Sequence, residues 1–228
     1  MPALLEIEDI HTYFSTNEGI VKAVNGISLS LHENRVLGIV GESGSGKTMT
    51  ALSILQLVPF PGDVVKGKIT YDGQDLLNMP VSQLRRIRGK EISLIFQDAG
   101  AALNPVISVG KQVEELMLEH TDMSKRQARA FAAELLSQMG IPDANEMLDR
   151  YPFQLSGGMA QRVLLAIGVA LKPRILIADE PTSNLDVTLQ AEILHRLRRL
   201  REENGTAIML ITHDLGVIAQ MAEMVAVM

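Results

Sequence analysis

The 228-residue sequence contains no cysteine and no tryptophan, and only five Phe and three Tyr. Without cysteine there are no disulfides, thiolate zinc sites, cysteine-ligated iron–sulfur clusters or cysteine nucleophiles. No apolar run approaches the roughly 18–20 residues a membrane span needs, and no basic-then-apolar leader opens the chain. The expectation is a soluble protein, still free to dock on something membranous. Scarce aromatics beside twelve Met describe a core of Leu, Ile, Val, Ala and Met, which suits a helix-rich α/β protein better than an all-β sandwich. At 46% hydrophobic the chain is not disordered, and its 18 Gly and 9 Pro fall without a period, which excludes collagen-like repeats. The formal net charge of −6 argues against a nucleic-acid partner, which would favour a basic face. There is no internal repeat and no Ser/Gly linker.

What is present reads first as strands. Alternation in Leu4-Leu5-Glu6-Ile7-Glu8 and from Val24 to Leu31 predicts half-buried antiparallel strands. Val36-Leu37-Gly38-Ile39-Val40 is instead a continuous apolar run, as for a strand covered on both faces. A Gly/Ser loop and an apolar helix over about Lys47–Leu57 follow it. Gly67–Gly73 predicts a strand and tight turn, and Glu91–Phe96 a core strand. From about 106 to 151 the texture turns helical. Ser124 with Gln127 forms a capping box, Phe131, Leu135 and Met139 recur every four residues, and Ile141-Pro142 is expected to stop that helix. After Ser156 the α/β pattern returns: a helix over Met159–Leu171 closed by Pro173, and the strand Ile175–Ala178. A helix with Leu189, Ile193, Leu197 and Leu200 on one face, the strand Ala207–Thr212 and the start of another over Ala222–Met228 follow.

Gly41-Glu42-Ser43-Gly44-Ser45-Gly46-Lys47-Thr48 fits G-x-x-x-x-G-K-[ST] between a buried strand and a helix. Glycines let consecutive backbone N–H groups turn inward around phosphate oxygens, at the positive end of the helix dipole. Lys47 would reach the β- and γ-phosphates and the Thr48 hydroxyl would ligate Mg2+. At average composition the four fixed positions match by chance roughly 0.01 times in such a chain. Chance is therefore a poor account of this loop.

Asp179-Glu180, ending the Ile175–Ala178 strand, supplies carboxylates where open α/β sheets bind ligands. Asp179 would hold Mg2+, directly or through water, and Glu180 would orient and deprotonate an attacking water. Ser156-Gly157-Gly158 before a helix reads as an N-cap with flexible glycines, and equally as a second anion site with exposed N–H groups. Gln97 and His213, each at a strand end, read singly as polar caps.

Their order lifts them above their separate meanings. The loop at 41–48, Gln97, Leu155–Gly158, Asp179-Glu180, Ser183–Asp186 and Thr212-His213-Asp214 together resemble the layout of an ABC-type ATPase: Walker A, Q-loop, signature motif, Walker B, D-loop and H-loop. Phe96-Gln97-Asp98 with Leu103-Asn104-Pro105, Tyr151–Arg162 and Leu185–Gln190 look like the oligopeptide/dipeptide/nickel uptake branch, in which a methionine such as Met159 stands for the usual glutamine. Two departures stand out. Ala99-Gly100-Ala101 replaces the branch's Pro-Met-Thr/Ser, which bears on contact with the membrane partner, and Asn184 replaces its usual Ala, which touches dimer communication.

The resemblance implies a P-loop NTPase core of the ABC ATPase type with an antiparallel β subdomain and a helical subdomain. One domain would span 1–228, with about 1–96 and 156–228 as β subdomain and core and about 97–155 as helical subdomain. The C-terminal extension usual in the branch is expected to be absent. Cofactors would be ATP and Mg2+. Expected nucleotide contacts are Phe14 (with Tyr13 the other candidate ring for adenine), Gly41, Ser43, Gly44, Ser45, Gly46, Lys47, Thr48, Thr50, Ser156, Gly157 and Gly158. Thr48, Gln97 and Asp179 would face the metal, and Glu180, His213, Gln97 and Lys47 would act in hydrolysis. Two chains, identical or paralogous, would pair head-to-tail, each lending Leu155–Gly158 to the other's nucleotide. Further partners would be transmembrane permease subunits and, indirectly, an extracytoplasmic solute-binding protein, with no nucleic acid. The resemblance places the chain peripherally on the cytoplasmic face of the bacterial cell membrane, powering import of peptides or nickel. The alternatives are a soluble ABC ATPase acting on nucleic acid or ribosomes, and a regulatory module that binds nucleotide with little hydrolysis.

Overall fold

The computed structural model describes residues 3–183 and 185–228. In chain order the first elements are β1 (Leu5–Thr16), β2 (Gly19–Leu31), β3 (Val36–Val40), α1 (Lys47–Ile54), β4 (Gly62–Tyr71), β5 (Gln74–Asp75), α2 (Val81–Ile87) and β6 (Ile92–Ile95). A helical stretch follows: α3 (Ala99–Ala102), α4 (Val109–His120), α5 (Lys125–Gln138), α6 (Ala144–Met147) and a 3-10 turn over Pro152–Gln154. The rest is α7 (Gly157–Val169), β7 (Ile175–Asp179), α8 (Val187–Asn204), β8 (Ala207–Ile211), α9 (Leu215–Met221) and β9 (Met224–Val227).

Two sheets result. The order β2-β1-β4-β5 is antiparallel, whereas β6-β7-β8-β3-β9 is parallel. Side chains alternate across a strand, so a strand covered on both faces must be apolar at every position. That is why β3, β7 and β8 read as unbroken runs. Val36, Val40, Leu176, Ala178, Ile208 and Leu210 feed a core shared with α4, α5, α7, α8 and α9. Their neighbours Leu37, Ile39, Ile175, Ile177, Met209 and Ile211 feed a second core shared with α1, α2 and the antiparallel sheet. Ile39, Ile177 and Ile211 are fully buried, each worth about 1.5–3 kcal/mol relative to exposure. A one-residue slip would exchange the two cores, so the register is fixed from both sides.

The helices differ from the sequence expectation mostly at their ends. The Ser124–Gln127 capping box is formed in both directions. α5 stops before Ile141-Pro142, because Gly140 takes φ +70 and turns the chain out of the helix. α1 ends at Ile54, ahead of the expected Leu57, with Gln56 at φ +50. α7 starts at Gly157 rather than Met159, since Ser156 Oγ accepts from the Met159 N–H and serves as the N-cap. α2 lies in a stretch the pattern left unassigned and buries Leu84 and Ile87. Ala99-Gly100-Ala101 forms the single turn of α3, capped by Asp98. Asn184 lies outside the described residues.

Because β6, β7, β8 and β3 are parallel, their carboxyl ends share one edge of the sheet. Four loops leave there: 41–46 after β3, 96–98 after β6, the segment beginning 180–183 after β7 and 212–214 after β8. That edge is where the fold can gather chemistry.

Candidate active site

The loop after β3 is shaped by glycine. Gly44 and Gly46 take φ +83 and +98, and a Cβ on Gly46 would strike the Ala23 carbonyl oxygen, one on Gly41 the Met228 carbonyl oxygen. Gly46 is also the N-cap of α1 and brings no side chain to its first turn, so the opening N–H groups of that helix are left to an incoming acceptor. Lys47 folds back along the loop, donating to the Gly41 and Glu42 carbonyls at 2.8 Å each and lying 3.4 Å from Ser45 Oγ. At 7% exposure this cation sits almost dry, which suits it to an anion at the loop mouth. Ser43 is exposed. Thr50 is fully buried and its hydroxyl donates to Gly46 O at 3.0 Å, so it braces the first turn of α1 from the core side and does not face the loop's opening.

Asp179 ends β7 at 2% exposure, and its Oδ1 is buried without a hydrogen-bond partner. Burial raises its carboxyl above the usual range; Glu180 adds to this, and Thr48 and Lys47 pull the other way. An orphaned buried carboxylate oxygen flanked by a hydroxyl is a poor resting arrangement and a good cation ligand. Among the described residues no group of three His, Asp or Glu could hold a metal by itself. One carboxylate and a hydroxyl therefore fit Mg2+ held jointly with substrate phosphates rather than in a protein cage.

Glu180 is the centre of the cluster. Its Oε2 accepts from Gln97 Nε2 at 3.1 Å, and its Oε1 accepts from His213 Nδ1 at 3.0 Å. Three strand ends thus converge on one carboxylate whose side chain is 14% exposed. The backbone of Glu180 takes φ +46, left-handed for a residue that also precedes a proline. Strain of this kind costs about 1–3 kcal/mol and persists where its surroundings hold it. The Gln97 amide nitrogen is engaged with Glu180 and the shared partner is the carboxylate, not Asp179.

The remaining candidates stand apart from this cluster. Ser156 and Gly157 are exposed, and no hydrogen bond joins residues 155–158 to 41–48 among the described residues. A Cβ on Gly158 would come within 2.5 Å of Leu189 Cδ2, so this glycine lets α7 pack closely on the Leu189 side chain of α8. The Phe14 ring lies against Gly62, where a Cβ would come within 2.6 Å of it, so the glycine leaves room for the ring. Tyr13 is spent elsewhere: its hydroxyl donates to Asn25 Oδ1 at 2.7 Å and Lys22 sits over its ring.

Residues 24–183 match the ABC transporter family, a span running from before the phosphate loop to the residues after Glu180. The chain belongs to that family. Its fold agrees: a dimeric ATP-binding cassette solved in a post-hydrolysis state with ADP and Pi superposes with a TM-score of 0.88 at 28% identity, covering 98% of this chain and 94% of that one. The dipeptide transport ATP-binding protein of Bacillus subtilis is 46% identical over 100% of this chain and 68% of its own length. The oligopeptide transport ATP-binding protein of the same organism is 45% identical over 99% of this chain and 63% of its own length. The chain thus spans about two thirds of the length of these relatives.

Two polar residues of this ABC cassette had no role assigned by sequence reasoning. Gln161 is buried on α7 and its Nε2 donates to Pro181 O at 2.9 Å. Gln190 Nε2 on α8 donates to Asp214 Oδ2 at 3.4 Å. The signal for Gln161 was a glutamine among the apolar positions Ala160, Val163 and Leu164; nothing in the exposed face of α8 marks Gln190.

Proposed function

We propose that this chain is the ATP-hydrolysing subunit of a peptide importer, acting peripherally on the cytoplasmic face of the cell membrane. The observation that carries it is Glu180, half-buried and held between Gln97 and His213 one residue beyond the unpaired Asp179, at the sheet edge where Lys47 and Thr48 start α1. The names of the two relatives point to peptides rather than nickel.

In this reading the N–H groups at the start of α1 and the Lys47 ammonium bind the ATP phosphates. Asp179 and Thr48, with Gln97 nearby, would hold Mg2+, which supplies neutralisation of phosphate charge. Glu180 accepts a proton from the attacking water, and His213 and Gln97 orient its two oxygens. Phe14 stacks on adenine. Ser156, Gly157 and Gly158, joined by no hydrogen bond to this chain's own phosphate loop among the described residues, serve a partner's nucleotide, so that two chains complete two sites. Exposed Phe96, Val106, Tyr151 and Phe153, the last two rings stacked at 5.7 Å, supply apolar contact beside Gln97 for permease subunits. No helix among the described residues is long and apolar enough to cross a membrane, so that contact would be the attachment.

The experiment is copurification with the candidate permease subunits, followed by ATPase measurement with and without peptide and its binding protein. Peptide-stimulated hydrolysis is expected. An assembled complex stimulated by nickel and not by peptide would overturn the choice of cargo.

A further inference from the structure

Gln161 is 6% exposed, a polar side chain set into the buried face of α7. Its amide crosses to the loop after β7 and donates to Pro181 O at 2.9 Å. Pro181 follows Glu180, whose left-handed backbone needs holding. Apart from the Gln97 and His213 bonds to the Glu180 carboxylate, the backbone of the loop is held by few bonds. Glu180 N–H donates to Ile211 O at 2.8 Å, and Ser183 donates to Glu180 O through its N–H at 3.2 Å and its hydroxyl at 3.0 Å. These come from the sheet and from the loop itself. Among the described residues, the Gln161 bond is the tie from the helix that begins behind Ser156, five residues earlier.

We propose that Gln161 is a positioning residue that couples the two half-sites carried by one chain. α7 starts at Ser156-Gly157, which face a partner's nucleotide, and one and a half turns later grips the peptide next to Glu180, which serves this chain's own nucleotide. A helix moves as a rigid rod on this length scale. Seating of its N-terminus therefore reaches the Glu180 backbone through one buried hydrogen bond. The inference rests on the shared-site reading above.

The test is Gln161→Met in the full chain. Methionine keeps the length and fills the buried space but cannot donate, leaving Pro181 O without its partner. kcat is expected to fall about tenfold or more, the scale of one lost buried hydrogen bond, with KM for ATP changed by less than about twofold. A second measurement separates positioning from assembly. Glu180→Gln and Glu180→Gln/Gln161→Met chains should form the ATP-bound dimer at the same ATP midpoint. A wild-type chain that hydrolyses ATP while Gln161→Met keeps full kcat overturns the proposal alone. So does a midpoint displaced by the second substitution, which would make Gln161 a residue of nucleotide binding or general packing. A wild-type chain without ATPase activity, alone or with its partners, overturns the functional reading and this inference with it.

Discussion

Nδ1 of His213 donates to Oε1 of Glu180 at 3.0 Å, across the gap between the ends of β8 and β7. With Gln97 on the other oxygen, the carboxylate is fixed on both sides and its lone pairs are aimed rather than free. Glu180→Gln keeps the shape and removes the base, so ATP binding should persist while hydrolysis falls by about 10²–10⁴-fold, the usual worth of a general base. His213→Ala should lower kcat with little change in KM, since it leaves the base present but unaimed. Direct ATP-binding measurements beside steady-state ATPase rates check both; equal loss of binding in the two variants would remove Glu180 from the role of base.

Asp179 calls for a different outcome. Its Oδ1 is buried and unpaired, which on the proposed reading fits a cation, so Asp179→Asn should abolish the Mg2+ dependence of ATP binding as well as hydrolysis. Binding titrations with Mg2+ and with chelator give the readout. Glu180→Gln should retain the Mg2+ response that Asp179→Asn has lost.

Also at the phosphates, Lys47→Ala removes the cation that folds back along the loop, and ATP affinity should collapse. Phe14→Ala should weaken binding more mildly, by about 1–3 kcal/mol if stacking on a base has its usual worth. Tyr13→Ala should cost less, because the Tyr13 hydroxyl and ring are committed to Asn25 and Lys22. Equilibrium binding of ATP by the three variants ranks them, and a larger loss in Tyr13→Ala reverses the choice of ring.

Much of this was legible in the chain because the relevant physics is local. A strand buried on both faces writes itself as Ile175–Ala178, and a phosphate loop needs its glycines at fixed spacing between strand and helix. Helix α2 was not legible: Val81–Ile87 is only 7 residues long, too short to show a sustained period, and Pro80 before it offers no capping side chain, so the core that receives Leu84 and Ile87 is what makes it a helix. The Gln161–Pro181 bond and the left-handed backbone of Glu180 were illegible for another reason. Both arise where two segments meet in space, and neither leaves a periodicity behind.

Asp214 gives a prediction about pH. It caps α9, accepting from the N–H groups of Gly216 at 2.7 Å and Val217 at 3.2 Å, and these bonds hold its carboxyl below the usual range. The folded pKa is depressed, so the stabilisation is fully present above the ordinary Asp range and is lost as pH falls through the folded value. Asp214→Ala should cost about 0.5–2 kcal/mol near neutral pH, as capping substitutions do. The gap in melting temperature between wild type and variant should close as pH drops below the ordinary Asp range. A gap that stays constant as pH falls below the ordinary Asp range and through the lower folded value would show that the carboxylate charge is not what stabilises the cap.

Ser156 tests the division of each site between two chains. The side chain is exposed and occupied with its own helix, accepting from the Met159 N–H, and no hydrogen bond ties it to the loop at 41–48 among the described residues. Ser156→Arg should therefore bind ATP as a monomer with near-normal affinity, yet fail to close the dimer and fail to hydrolyse. Mixed with Lys47→Ala, it forms one composite site that pairs intact Lys47 with intact Ser156, while the other pairs both defects. Activity should return in the mixture and peak at an intermediate ratio, with each variant alone as the baseline. Loss of monomeric ATP binding in Ser156→Arg would place the signature loop in the chain's own pocket. Retained binding with rescue in the mixture requires two chains at each nucleotide, because neither variant supplies a complete site by itself.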